Sequence, residues 1–190
     1  MAKFGTVDEA RPVIRMWSGQ DVDLLNPSPE VVLIDDIAAH LAKINRFVGA
    51  TSRTYTVAEH CLLGLDFCLP GTRLEYLMHD ASEAYLGDVS GPLKRMLGMQ
   101  FYRDLEVSWT NAIVERFGLK AKLPAEVKEI DRRMLVTEQR DLCGRQPLST
   151  DRSAPFSWRI PQRERTSEDL RLDFLFAFSF YASKTEGARR

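Results

Sequence analysis

Thr56-Val57-Ala58-Glu59-His60, followed by Leu77-Met78-His79-Asp80-Ala81-Ser82-Glu83 and, far downstream, Asp131, decides how this chain reads. Thr56 and Glu59 have the Thr-x-x-Glu spacing of a capping box, which opens a helix carrying His60. Thr72-Arg73-Leu74-Glu75 repeats that spacing and opens a second helix, which carries His79-Asp80 and is broken by Gly87. The first helix is expected to end near Pro70-Gly71, leaving a very short turn between the two. Helices joined this way are antiparallel neighbours, which brings His60 beside His79. The chain has three histidines, and two of them fall in this pattern; His40 reads as a helix-surface residue.

Two imidazoles and two carboxylates suit one divalent cation: zinc, cobalt, manganese or iron. Neighbouring helical residues point about 100° apart. His79 and Asp80 can therefore share an ion only at a seam between helices, with His60 and Asp131 as the available partners. Such an ion would lower the pKa of water bound to it and polarise a phosphoryl oxygen. Glu83, one turn past His79-Asp80, is placed to orient or deprotonate that water. Asp88, beyond Gly87, is placed to protonate a leaving oxygen or hold substrate.

Working outward, residues 31–45 carry apolar side chains at three- and four-residue steps and read as a helix. Pro92 suits the first turn of a short helix through residue 96. Residues 100–117 form a long amphipathic helix closed by Gly118, and Pro124 opens another that runs to about residue 142 and contains Asp131. Residues 144–166 read as a loop with Arg145, Arg152, Arg159, Arg163 and Arg165. That loop is either a lid meeting phosphates or, slightly favoured, a solvated connection whose arginines pair with surface acids. Ser167 caps a last helix. Its phenylalanines at 174, 176, 178 and 180 alternate like a strand, but Leu175, Ala177 and Tyr181 between them favour a buried helix. Residues 1–30 read as an N-terminal extension punctuated by Asn26-Pro27 and Ser28-Pro29, with a short strand or ribbon. Trp17 in it reads as core or interface packing. Trp109 and Trp158, with the last helix, would suit an interface. The sum is an all-α helical bundle spanning residues 31–190.

The 190 residues carry a net charge of -1, with 44% hydrophobic and 28% charged side chains. This is the balance of an ordinary soluble domain large enough to bury a core, and it argues against a partner that is a nucleic-acid polymer. Cys61, Cys68 and Cys143 form no C-x-x-C pair; they read as reduced, two of them in the core, which fits the cytoplasm. There is no basic-then-apolar leader at the N-terminus, and the apolar run at 170–181 is too short and too charged to span a membrane.

The pattern of a His, then His-Asp, then a distant Asp resembles the HD-domain phosphohydrolase superfamily over residues 35–142. Arg46-Phe47, Tyr55-Thr56-Val57-Ala58-Glu59-His60, and His79-Asp80-Ala81-Ser82-Glu83 with Gly87-Asp88 are similar to the small bacterial 5'-deoxynucleotidases and to the phage dATP triphosphohydrolases. The resemblance implies a compact helical domain with His60, His79, Asp80 and Asp131 as metal ligands and the acidic pair Glu83 and Asp88 serving hydrolysis. It also implies that Arg46 contacts phosphate and Phe47 stacks on the base. Lys94 and Lys128 match lysines of the phage-type members, and two cations favour a polyphosphate tail. The expected activity is conversion of dATP to deoxyadenosine and triphosphate by a homo-oligomer holding one zinc, cobalt or manganese ion. The alternatives are a 5'-deoxynucleotidase acting on deoxynucleoside monophosphates and a nucleotide-binding module without turnover.

Overall fold

The computed structural model describes residues 12–96 and 98–187; residues 1–11 of the N-terminal extension lie outside them. The described residues are mostly helical, with eight α-helices and one small antiparallel sheet. The sheet is a hairpin, β1 (Val13–Arg15) and β2 (Asp21–Asp23), with Ile14 opposite Val22. Its inward residues Met16 and Val22 are buried in the main core, so the ribbon expected near the N-terminus is an integral part of that core. Helix α1 (Ile34–Leu41) follows. It is shorter than the expected 31–45 because Pro29–Val31 forms a separate tight turn and Val32 and Leu33 are extended.

Helix α2 (Val57–Gly64) opens as expected, the Thr56 hydroxyl accepting the Glu59 amide at 3.3 Å. It gives way at Leu65–Phe67 to a tighter turn, well before Pro70. Helix α3 (Arg73–Leu77) does not use the second capping box. Glu126 takes the Thr72 hydroxyl at 2.9 Å and Lys120 takes Glu75 at 3.5 Å, so tertiary partners displace the local cap. Helices α4 (Glu83–Leu86) and α5 (Gly91–Lys94) are single turns. Gly87 ends α4 at φ 77°, a conformation that favours glycine.

Helix α6 (Gln100–Phe117) ends at Gly118 in the left-handed conformation, and α7 (Ala125–Asp141) starts after Pro124. Both match the punctuation in the sequence. Residues 144–166 contain no helix or strand. Helix α8 (Ser167–Gly187) is capped by Thr166, whose hydroxyl accepts the Asp169 amide at 3.1 Å, one residue before the expected Ser167. It lies across α1, α2 and α3. Phe174 is fully buried there, while Phe176 and Phe180 are exposed, so only one face of this helix is core. No described helix is long and apolar enough to cross a membrane.

Trp109 leaves the expected interface, and Trp17 leaves the core half of its expected core or interface placement. Trp109 is fully buried, stacked on Tyr85 at 3.9 Å, and its indole N–H donates to the Leu24 carbonyl. It pins the N-terminal segment to α6 and is no interface residue. Trp17 is exposed beneath Lys43, whose ammonium sits 4.3 Å from the ring centre. His40 is also not a free surface residue. Its Nδ1–H donates to the Ala84 carbonyl at 2.8 Å and its Nε2 accepts the Trp17 amide at 3.2 Å, joining hairpin, α1 and α4. The expected placements of Cys61 and Cys68 in the core and Cys143 outside agree with the structure.

Gly64 carries a packing requirement. A Cβ there would lie 2.1 Å from the Tyr76 hydroxyl, and Tyr76 is fully buried against the His79 and His60 rings. Gly64→Ala is expected to lower stability by about 1–3 kcal/mol through overpacking, read as a fall in the denaturation midpoint.

Candidate metal centre

His79 and Asp80 do not lie on an α-helix. Helix α3 stops at Leu77, and residues 78–82 turn with three-residue hydrogen bonds, Ala81 N–H to Met78 at 3.1 Å and Glu83 N–H to Asp80 at 3.0 Å. The tighter turn re-aims the two neighbours toward one point: His79 Nε2 is 3.3 Å from Asp80 Oδ2. His60, from α2, arrives with Nε2 3.3 Å from His79 Nε2 and 3.8 Å from Asp80 Oδ2. Asp131, from α7, places Oδ1 3.4 Å and 3.6 Å from the two imidazole nitrogens. The four expected ligands therefore converge, drawn from three separate parts of the fold.

The separations within the His60–His79–Asp131 group, and those between Asp80 and the two imidazoles, suit a single ion. Ligand atoms about 2.1 Å from a tetrahedral cation lie roughly 3.4 Å from one another. The tautomers give a stricter test. His79 Nδ1–H donates to the Tyr76 carbonyl at 2.6 Å, and His60 Nδ1–H donates to the Glu138 carboxylate at 2.5 Å. In the neutral rings both Nε2 lone pairs are thereby left facing each other and two carboxylates, an arrangement that repels itself unless a cation or added protons lie among them. The donor chemistry fits a divalent ion, and the group can be stated coarsely as a buried set of His, Asp and Cys side chains able to hold one.

Glu138 is the residue that sequence reasoning missed. It is fully buried on α7, two turns past Asp131. Besides His60, it accepts the Tyr55 hydroxyl at 2.9 Å and Arg46 Nε at 3.1 Å. Burial alone would raise its pKa; the charges of Arg46 and His60 more than offset this and hold it ionised. Such a carboxylate fixes the orientation of a ligating imidazole and increases its basicity.

Arg46 therefore has structural partners. It pairs with Glu138 at 3.1 Å and with Asp80 at 3.4 Å, and its guanidinium sits 5.6 Å from the half-buried Phe47 ring. Phe47 and Val48 both have φ 55°. A β-branched valine there is strained, and strain of this kind collects at functional sites.

Glu83 lies buried beside the centre with Oε2 unpartnered among the protein's own groups. Burial, then the charges of Asp80 and Asp88, push its carboxyl up to about 9. Burial raises Asp88 as well. Lys94 Nζ stands 3.8 Å from Glu83 and 2.6 Å from Glu106. Lys128 is exposed on α7, one turn before Asp131, and is not gathered into this cluster by any observed contact.

The Arg-rich segment is anchored by ion pairs. Arg145 holds Asp151 at 2.8 Å, Arg159 holds Asp141 at 2.6 Å, and Arg165 pairs with Asp173. Arg53, itself paired with buried Glu59, donates to the Pro161 carbonyl. Asp141 accepts from Arg140, the Ile160 amide and Arg159. Burial opposes its charge, but these donors hold its carboxyl down at about 2. Because the folded pKa is depressed, the stabilisation is complete above the unfolded value near 4 and is lost as pH falls from about 4 to 2. Asp141→Asn is expected to flatten the stability-versus-pH curve in that window, measured by denaturant titration at several pH values.

No family model matches the chain. It is 38% identical over 129 residues to the uncharacterized protein YfdR of Escherichia coli (strain K12), covering 68% of this chain and 71% of YfdR. This chain belongs to the same family as YfdR. It is also 43% identical over 123 residues to the uncharacterized protein RCAP_rcc00048 of Rhodobacter capsulatus, covering 60% of this chain and 62% of that protein. Neither relative's name states an activity, so any account of the chemistry rests on the residues themselves.

Proposed function

We propose that this chain is an HD-type metal-dependent phosphohydrolase acting on deoxynucleotides, with dATP as the leading substrate and deoxyadenosine and triphosphate as products. The observation that carries the reading is the convergence of His60 Nε2, His79 Nε2, Asp80 Oδ2 and Asp131 Oδ1, with both Nδ1 atoms committed elsewhere. These four would hold one zinc, cobalt or manganese ion. Such an ion supplies Lewis-acid chemistry, neutralising phosphoryl charge and making water a stronger acid.

The chain's own groups do the rest. Glu138 and the Tyr76 carbonyl hold the imidazoles in register. Glu83, beside the Lys94 ammonium and with its carboxyl raised to about 9, has a hydrogen to give and an unpartnered oxygen to orient water. Asp88 faces the same charges and shares the acid–base work. Phe47 offers a ring to a base. Arg46 keeps N–H groups beyond those given to Glu138 and Asp80, and these can fork onto phosphate oxygens.

One observation favours a second reading, a 5'-deoxynucleotidase acting on monophosphates. Lys94 is already held by Glu106 and Glu83 while Lys128 stays exposed, so the two cations expected to grip a polyphosphate tail are not convergent in this state. Chromatography of the products from dATP and dAMP, with manganese, cobalt or zinc supplied, separates the readings. Triphosphate released from dATP supports the first. Orthophosphate from monophosphates alone supports the second, and product from neither removes both.

A further inference from the structure

Cys61 follows His60 on α2 and is fully buried. Its sulfur, a nitrogen of His79 and an oxygen of Asp80 all lie within 4.8 Å of one another. The other cysteines are placed differently: Cys68 donates its thiol to the Gly64 carbonyl at 3.4 Å, and Cys143 is exposed. His79 Nδ1 is committed to Tyr76 and its Nε2 faces His60 and Asp131, so a cation held by this second group competes for a nitrogen already engaged. Two donor sets thus share His79 and Asp80. One adds His60 and Asp131, both borderline or hard donors. The other adds a thiol, the softest donor a side chain provides.

We propose that the centre has a second, soft coordination mode in which Cys61, His79 and Asp80 hold a thiophilic divalent cation such as cadmium, in competition with the ion held by the His60–Asp131 arrangement. The inference rests on the reading of this cluster as a metal centre. Binding in the soft mode forms a bond from sulfur to the cation and breaks the S–H bond, with the proton passing to solvent and no change of oxidation state. Because His79 and Asp80 cannot serve both arrangements fully, a soft cation draws them away from the hydrolytic set. The centre would then be inhibited by the softer ions and supported by harder ones such as manganese.

The test uses the full chain, stripped of metal, in a Cys143→Ser background so that the exposed thiol cannot contribute. Cadmium is titrated while the near-ultraviolet thiolate-to-cadmium charge-transfer band is recorded. Manganese binding is followed separately by the loss of the free-ion paramagnetic resonance signal. The proposal expects one charge-transfer equivalent per chain, release of prebound manganese as the band grows, loss of the band in Cys61→Ser, and its retention in Cys68→Ser. Manganese binding with no charge-transfer band, or a band that survives Cys61→Ser, overturns the soft mode and leaves the metal-centre reading standing. If neither ion binds, both readings fail together. Retention of the band in Cys68→Ser, within the Cys143→Ser background, assigns it to Cys61 even should a Cys61 variant not fold, and loss of the band there overturns the proposal.

Discussion

Asp131→Ala is expected to reduce metal-dependent hydrolysis by more than about 100-fold while leaving the fold intact. Loss of a partner in the outer shell of a metal centre already lowers affinity or activity about 10–100-fold, and Asp131 touches the cluster directly, 3.4 Å from His60 and 3.6 Å from His79. Its side chain is 40% exposed, so truncation opens little cavity in the core. The variant separates a ligand from a core residue: metal binding and turnover should fall together while the thermal midpoint of the metal-free protein moves little. A large drop in metal-free stability with metal affinity unchanged would assign Asp131 to the fold instead.

Glu138→Ala is expected to be the most destabilising substitution near the centre, by about 3–5 kcal/mol. Removing one partner of a buried ion pair leaves the other charge without compensation. Here Arg46, only 11% exposed, loses its 3.1 Å partner, and the Tyr55 hydroxyl and His60 Nδ1–H lose their acceptor at the same time. Glu138→Gln distinguishes structure from tuning. Its amide oxygen can still accept from Tyr55 or His60 but carries no charge to increase imidazole basicity. It should recover much of the stability while metal affinity stays about 10–100-fold lower, as read by chelator competition and denaturant unfolding on the same preparation.

The parts of this molecule legible in its sequence are those set by local chemistry. Gly118 and Pro124 punctuate α6 and α7 at the places expected, because a left-handed closing residue and a missing amide act within a few residues. Thr56 caps α2 for the same reason. The second capping box failed because Glu126 and Lys120, distant in sequence, compete for Thr72 and Glu75.

The candidate ligands were legible as residue types and spacing, but their geometry was not. The turn at residues 78–82, which aims His79 and Asp80 at one point, arises where three-residue hydrogen bonds replace helical ones. Nothing in Leu77-Met78-His79-Asp80-Ala81 marks that change. Glu138 was hidden in the charged stretch of α7, where most neighbours are solvated. The available signal was its seven-residue offset from Asp131, which puts both on one face of the helix. Its burial follows from the packing of α7 on α2, a long-range fact. His40 and Trp109 were misplaced for the same reason: their partners, Ala84 and Leu24, lie 44 and 85 residues away.

The most direct test of the central claim is turnover by the metal-stripped full chain, with dATP, dAMP and their ribose and guanine counterparts, before and after one equivalent of manganese, cobalt or zinc is restored. The account predicts no product from the stripped protein, hydrolysis of a deoxynucleotide once metal is returned, and no recovery in Asp80→Ala. Hydrolysis that persists without metal, or that Asp80→Ala retains, would contradict it.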